Sequence, residues 1–321
     1  MISNNNNSLT DILKIKYPII MAPMFLVSNS KMLIEAINNG ITGCIPALNF
    51  RKISDFETSI NKIKDKTNGP IGVNLIVNKS NPKFKEQLNS CIKLKIDYII
   101  TSLGNPKLTI DLCKKHNIKV FCDVIDLKYA KKVENLGCDA IIAVNKEAGG
   151  HAGAISAKDL ILSLKKNCNV PIISAGGVSN GSQIKDMIKL GACGVSIGSP
   201  FIATDESPVS IDYKNAIVEY GAKDIVLTEK LSGSPCTVIN TPYVKKVGLK
   251  RNFLETLLSK NKKLKKYIKM FTWLRGTNKL RTAAFSTTYD TVWCAGPSIE
   301  GVNSIRPVKK VIEDFISDFK N

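Results

Sequence analysis

Residues 170–199, VPIISAGGVSNGSQIKDMIKLGACGVSIGS, hold the clearest indication of the fold. An apolar segment at 170–175 is followed by a glycine-rich turn, an amphipathic helical segment and a second apolar segment at 193–199. Two short segments rich in Ile and Val that flank a helical one are typical of a βαβ unit with parallel strands. Strands that are apolar along almost their whole length are usually buried on both faces. The stretch therefore predicts a parallel sheet covered by helices.

The same alternation extends through the first 200 residues. Six further apolar segments precede the stretch, at 17–23, 41–47, 70–76, 97–102, 119–124 and 139–144. Eight successive βα units predict an α/β protein built on a closed (β/α)8 TIM barrel. A doubly wound open sheet is the competing architecture, but the G-x-G-x-x-G turn that often follows its first strand is missing after residues 17–23.

The chain divides into three predicted parts. Residues 1–205 form the barrel, and residues 206–290 lose the βα alternation and are predicted to form a smaller, mostly helical second domain inserted after strand 8. Residues 291–321 end in an amphipathic helical pattern that is expected to return to the outside of the barrel.

Composition indicates a globular protein, with 44% hydrophobic and 23% charged residues in a chain of 321. No apolar run approaches the roughly 20 residues that span a bilayer, and the first residues lack the pattern of a signal peptide, so a cytoplasmic protein without a membrane span is expected. The nine cysteines form no C-x-x-C pair, which predicts buried thiols and no metal site.

The net charge of +19 suggests nucleic acid or an acidic protein as a binding partner. Most lysines stand singly on predicted helix faces, which makes nucleic acid the weaker interpretation. Residues 245–281 differ, because they hold thirteen Lys or Arg against the single acid Glu255. A local basic face is therefore expected there.

The barrel fold predicts where the chemistry lies, because the loops at the carboxyl ends of the strands build the active site. The loops after strands 7 and 8 carry Gly176 and Gly177, and then Gly198 and Ser199. Glycines let the backbone approach a ligand closely, and backbone N–H groups at a helix start favour an anion. These two loops predict a phosphate site.

The loop after strand 6 reads EAGGHAG, residues 147–153, and holds one of only two histidines. A histidine flanked by glycines at a barrel mouth is well suited to move a proton near neutral pH, so His151 is the predicted catalytic residue. Glu147 is a candidate to orient its imidazole. The other histidine, His116, lies in a helical segment and is interpreted as a packing or capping residue.

Two further strand ends offer groups for a flat ring. The first strand ends in Ala22, Pro23 and Met24, whose flexible thioether is a pliable apolar cover. The third strand carries Asn74, whose amide can both donate to and accept from the edge of a heterocycle.

These motifs, taken together, resemble the nitronate monooxygenase (2-nitropropane dioxygenase) family, which also includes flavin-dependent enoyl-acyl-carrier-protein reductases. The resemblance runs through YPIIMAPM, GVNL, EAGGHAG, PIISAGGVSNG and LGACGVSIGSPFIATDES, and continues in SGSPCTVIN and WCAGPSIEGV. The combination A-G-G-H-x-G, then A-G-G-[IV], then G-[ST]-x-F is more specific than any single motif. The resemblance as a whole covers most of the chain.

The resemblance implies FMN as cofactor and His151 as the catalytic residue. The residues it assigns to the cofactor are Ala22, Pro23, Met24, Asn74, Ala148, Gly149, Gly150, Ala175, Gly176, Gly177, Gly198 and Ser199. Of these, Gly176, Gly177, Gly198 and Ser199 would hold the phosphate.

The reaction implied is oxidation of an alkyl nitronate by O2 to a carbonyl compound and nitrite. The alternative in the same class is an NAD(P)H-dependent enoyl-acyl-carrier-protein or quinone reductase, and an acidic carrier protein would suit the basic segment 245–281. The remote alternative is a flavin-free basic binding barrel. Whether the chain forms a homodimer stays open.

Overall fold

A computed structural model describes residues 8–78, 81–229, 235–249 and 292–320. Eight parallel strands close into a barrel, because the first strand pairs with both the second and the last. The barrel strands are β1 Ile19–Met21, β2 Thr42–Pro46, β3 Ile71–Ile76, β4 Tyr98–Ser102, β5 Lys119–Val124, β6 Ala140–Val144, β8 Ile172–Ala175 and β9 Gly194–Ile197. Each lies within one of the eight predicted segments, so the predicted TIM barrel is confirmed.

A short helix precedes the first strand, and seven helices follow strands on the outside of the barrel. Their bounds are α1 Leu9–Leu13, α2 Ser30–Asn38, α3 Ile53–Lys64, α4 Phe84–Lys93, α5 Lys107–Lys115, α6 Leu127–Asn135, α7 Ala157–Asn167 and α8 Gly181–Leu190. Five of these helices begin where a side chain accepts a hydrogen bond from the first turn, at Ser8, Asn29, Asp126, Ser156 and Asn180. These N-caps satisfy backbone donors that the helix itself leaves free, so the loop sequence helps to fix where each of these five helices starts.

Side chains fill the inside of the barrel. The rings of Tyr98 and Phe121 stack with centroids 5.2 Å apart, and the Tyr98 hydroxyl donates to the Gly43 carbonyl at 3.0 Å. Leu9 and Leu13 of α1 join the same buried cluster, and the Leu9 N–H donates to Cys193 O ahead of β9. Helix α1 therefore covers the amino ends of the strands, and the opposite, carboxyl end is the one left for a ligand.

A second, three-stranded sheet lies over that carboxyl end. It joins β7 Gly150–His151, β10 Ile225–Thr228 and β11 Cys236–Ile239 in antiparallel pairs. Residues 147–153 were expected to be a loop, and this expectation was wrong for Gly150 and His151. The reason is long-range pairing, since Thr237 and Cys236 on β11 are their partners.

Three more helices complete the described chain, α9 Ile211–Glu219, α10 Pro242–Val247 and α11 Val308–Lys320. Helix α11 packs on α8 and α2, outside the barrel. The described parts of the predicted insertion, 206–229 and 235–249, contain two helices and the β10–β11 pair; most of the basic segment lies outside the described residues. The three-part division stays a prediction. None of the described helices is long and apolar enough to cross a membrane.

Candidate functional site

A cavity of about 710 Å³ lies at the carboxyl end of the barrel. The structure brings all thirteen predicted site residues to its wall. They are Ala22, Pro23, Met24, Asn74, Ala148, Gly149, Gly150, His151, Ala175, Gly176, Gly177, Gly198 and Ser199. Glu147 also lines the cavity, whereas His116 does not and instead ends helix α5.

The loops after β8 and β9 form a backbone cradle at one side of the cavity. Within the described ranges, the N–H groups of Gly177, Gly198 and Ser199 have no protein acceptor. Gly176 and Gly177 adopt φ of +114° and +83°, a conformation that side chains other than glycine rarely take. Unpaired N–H groups gathered in such loops form a concavity for an anion, so this side of the cavity fits a phosphate.

Asn145 ties this cradle to the loop that carries the histidine. Its side chain is fully buried, its Oδ1 accepts from Glu147 N at 2.7 Å, and its Nδ2 donates to Gly176 O at 3.0 Å. A β-carbon on Gly176 would lie 2.5 Å from that Oδ1. Sequence reasoning missed Asn145, although a polar residue directly after the apolar strand β6 was a usable signal.

The segment 292–296 closes the cavity from above. Gly296 N donates to Ser199 Oγ at 2.8 Å, and the Tyr213 hydroxyl donates to Cys294 O at 2.5 Å. The Trp293 ring stacks on Tyr213 with centroids 5.5 Å apart. The Ser199 hydroxyl thus accepts from the covering segment and keeps its own hydrogen for a ligand.

His151 lies at the rim of the cavity on β7. Thr237 on β11 holds residues 148–150, the segment before His151, in place. The Thr237 hydroxyl contacts Ala148 O at 2.6 Å and Gly150 O at 3.3 Å. The imidazole is solvent-accessible, yet the surrounding protein desolvates it and lowers its pKa below the usual 6.5. The lowered pKa favours the neutral imidazole at pH 7, which is the form that can accept a proton. The Glu147 carboxylate lies against Gly177, where an added β-carbon would meet its Oε2 at 2.2 Å.

Sequence reasoning also missed Ser102 on β4 and Asp123 on β5, which form a chain of polar side chains with the predicted Asn74 on β3. Asn74 Nδ2 donates to Ser102 Oγ at 2.8 Å, and the Ser102 hydroxyl donates to Asp123 Oδ2 at 2.5 Å. All three residues line the cavity. The signal in the sequence was the acid in KVFCDV, since a charged residue rarely interrupts a strand that is otherwise buried.

The cavity fits FMN in size and chemistry. Its volume of about 710 Å³ is in the usual range of about 300–1,000 Å³ for pockets that hold organic ligands. The cradle supplies backbone donors for a phosphate, and Ala22, Pro23 and Met24 supply an apolar wall for a ring. No group of three His, Cys, Asp or Glu in the described chain could hold a metal ion, and the nine cysteines are free thiols, seven of them buried.

Comparison with known proteins gives one consistent family. The nitronate monooxygenase family model matches residues 6–124 and 82–318. A probable nitronate monooxygenase of Staphylococcus haemolyticus is 28% identical to this chain, in an alignment that covers 74% of this chain and 79% of the relative. A dehydrogenase of a hydroxy-methyl-oxo-octahydroindene-carboxyl-CoA from Rhodococcus jostii is 27% identical, over 75% of this chain and 68% of its own.

Solved structures show the same fold over almost the whole chain. FabK from Thermotoga maritima superposes with a TM-score of 0.84 at 30% identity, over 97% of this chain and 95% of that one. Nitroalkane oxidase from Streptomyces ansochromogenes superposes with a TM-score of 0.80 at 19% identity, over 97% of each chain, which shows shared architecture.

Proposed function

The chain belongs to the nitronate monooxygenase family of oxidoreductases, and from this premise we propose that it uses FMN to oxidise alkyl nitronates with O2 to a carbonyl compound and nitrite. One observation carries the proposal. A cradle of unpaired backbone N–H groups and a neutral histidine line the same cavity, with an apolar wall beside them. This arrangement suits a phosphorylated ring cofactor, and its histidine supplies a proton acceptor.

Each part of the cavity wall has a role toward that cofactor. The N–H groups of Gly177, Gly198 and Ser199 would hold the phosphate, and Ala22, Pro23, Met24 and Asn74 would line the ring. Bound there, FMN supplies the two-electron redox chemistry, while the protein contributes orientation and electrostatics. The glycines at 149 and 150 let the backbone lie close to the ring.

His151 would move the proton of the reaction. A neutral nitroalkane must lose a proton from its α-carbon before it becomes a nitronate, and a neutral imidazole at the rim of the cavity can accept it. A nitronate supplied as the anion has already lost that proton. The histidine is therefore required for neutral nitroalkanes and dispensable as a base for nitronates.

A second candidate is the NAD(P)H-dependent reduction of an enoyl thioester or a quinone. FabK is 30% identical over almost the whole chain, and the Rhodococcus relative is named for a CoA thioester. Among the described residues that line the cavity there are three carboxyl groups, Asp123, Asp126 and Glu147, and no Lys or Arg. Such a lining favours an uncharged reacting group.

Anaerobic absorbance spectra of the purified protein distinguish the two. The protein, isolated yellow with bound FMN, is mixed in separate cuvettes with an alkyl nitronate, with NADH and with NADPH. Bleaching or semiquinone formation by the nitronate alone supports nitronate oxidation, and rapid bleaching by a nicotinamide alone supports the reductase. A colourless protein that does not bind added FMN refutes both and leaves the flavin-free barrel.

A further inference from the structure

Asp123 is an acidic side chain placed where the fold least favours one. It lies on β5 between buried residues, and its carboxyl group faces the cavity. The Ser102 hydroxyl donates to Asp123 Oδ2 at 2.5 Å, and Asn74 Nδ2 donates in turn to Ser102 Oγ at 2.8 Å. The carboxyl is therefore held in one orientation by a chain that begins at a residue assigned to the flavin ring.

No described cation that lines the cavity compensates the charge of Asp123. The described titratable groups around Asp123 include no Lys or Arg. They are the thiols of Cys44 on β2 and Cys122 on β5, the carboxyls of Asp126 and Glu147, the Tyr129 phenol and the His151 imidazole. On β6 the register partner of Asp123 is the apolar Ile142. Burial raises the pKa of the Asp123 carboxyl to about 6, although the Ser102 hydrogen bond acts in the opposite direction.

We propose that Asp123 is the specificity-determining residue for substrate charge in this cavity. Ser102 donates to Oδ2, so Oδ1 is the atom left to face a ligand. When protonated, Asp123 can donate from Oδ1 to an anionic oxygen such as that of a nitronate. When ionised, it can only accept, and it repels an anion while leaving a neutral substrate largely unaffected.

The size of the effect is estimated from Coulomb's law for two charges that share one cavity. Two like charges about 7 Å apart, at an effective dielectric constant of about 20, disfavour each other by roughly 50-fold in an equilibrium constant. Ionisation of Asp123 also removes the Oδ1 donor. We therefore expect kcat/KM for a nitronate to fall by roughly 10-fold to 100-fold as pH rises through the pKa of Asp123.

The inference rests on the proposed binding of FMN and a substrate in this cavity, and the first test uses the FMN-loaded enzyme. The kcat/KM for ethylnitronate is measured from pH 5.5 to 8.5 for wild type, Asp123→Asn and Asp126→Asn. Asp126 is a matched control, because it also lines the cavity but its Oδ1 caps α6 through Tyr129 N at 2.7 Å, a bond that Asn retains. The expected result is a fall above pH 6 in wild type and Asp126→Asn, and its loss in Asp123→Asn.

A binding measurement separates this inference from the proposed reaction. Dissociation constants are measured at pH 5.5 and 8 by calorimetry for benzoate and for benzamide, a neutral molecule of the same shape. We expect Asp123→Asn to bind benzoate at pH 8 at least about 10-fold more tightly than wild type, with benzamide changed less than about 2-fold. Absence of nitronate turnover in every variant refutes the reaction alone; equal benzoate affinity of wild type and Asp123→Asn at pH 8 overturns the role of Asp123.

Discussion

Replacement of Gly150 by Ala tests whether a flavin lies against β7. Gly150 has φ of +75°, and a β-carbon built on it meets no described protein atom within 4 Å. The substitution therefore costs the protein only the backbone strain of a left-handed alanine, about 1–2 kcal/mol. A methyl group in the open space would, however, meet a ring held there. We expect the free energy of unfolding of the apoprotein to fall by about 1–2 kcal/mol, and the Kd for FMN to rise by about 10-fold or more.

Gly137 supplies the matched control, because it has φ of +86°, also has open space around it and does not line the cavity. Gly137→Ala should lose the same stability and keep the FMN affinity of wild type. Urea denaturation of both apoproteins measures the first quantity, and fluorescence titration with FMN measures the second. Equal FMN affinity in the two variants would refute the placement of the flavin beside Gly150.

Three further outcomes are expected. His151→Ala should keep FMN and lose at least about 100-fold in turnover of neutral nitroalkanes, with nitronate turnover retained, because only the neutral substrate needs a base; full activity on both would contradict the role. Thr237→Val leaves the Ala148 carbonyl without its donor and should lower the free energy of unfolding by about 1–3 kcal/mol in urea. The raised pKa of Asp123 means that the folded state binds this proton more tightly than the unfolded chain, where the pKa is about 3.9. The stabilisation from this bound proton is complete below about pH 4 and is lost as pH rises through about 6. The free energy of unfolding of Asp123→Asn should therefore exceed that of wild type at pH 8, by up to about 3 kcal/mol, and should not exceed it at pH 4.

The barrel could be predicted from local patterns because each βα unit repeats the same physical requirement. A strand buried on both faces must be apolar along its length, and a surface helix must be amphipathic. Segments such as 139–144 and 170–175 are therefore recognisable as strands from the sequence. The glycines that we propose to hold the cofactor could be located for a related reason. Gly176 and Gly177 need positive φ, and the barrel fixes the loops in which they occur.

The sheet over the cavity could not be predicted in the same way. Strand β7 has only two residues, one of them a glycine, and it exists because β11 pairs with it from 85 residues further along the chain, as in Cys236 with His151. Neither residue has a local pattern that indicates a strand. The position of the histidine was thus predictable from its motif, but the element that holds it was set by non-local pairing.

The charge of the cavity shows why composition was a poor guide to the substrate. A net charge of +19 suggests attraction of anions, yet the described lining of the cavity carries carboxyl groups and no Lys or Arg. The described lysines lie mainly on solvated helix faces, where dissolved salt screens their charge over about 10 Å. A group inside the cavity acts on a ligand through little solvent. One half-buried acid on β5 therefore has more influence on the choice between a nitronate and a neutral substrate than the many surface lysines. The protonation of Asp123 is therefore the property on which the preference for a nitronate over a neutral substrate is best tested.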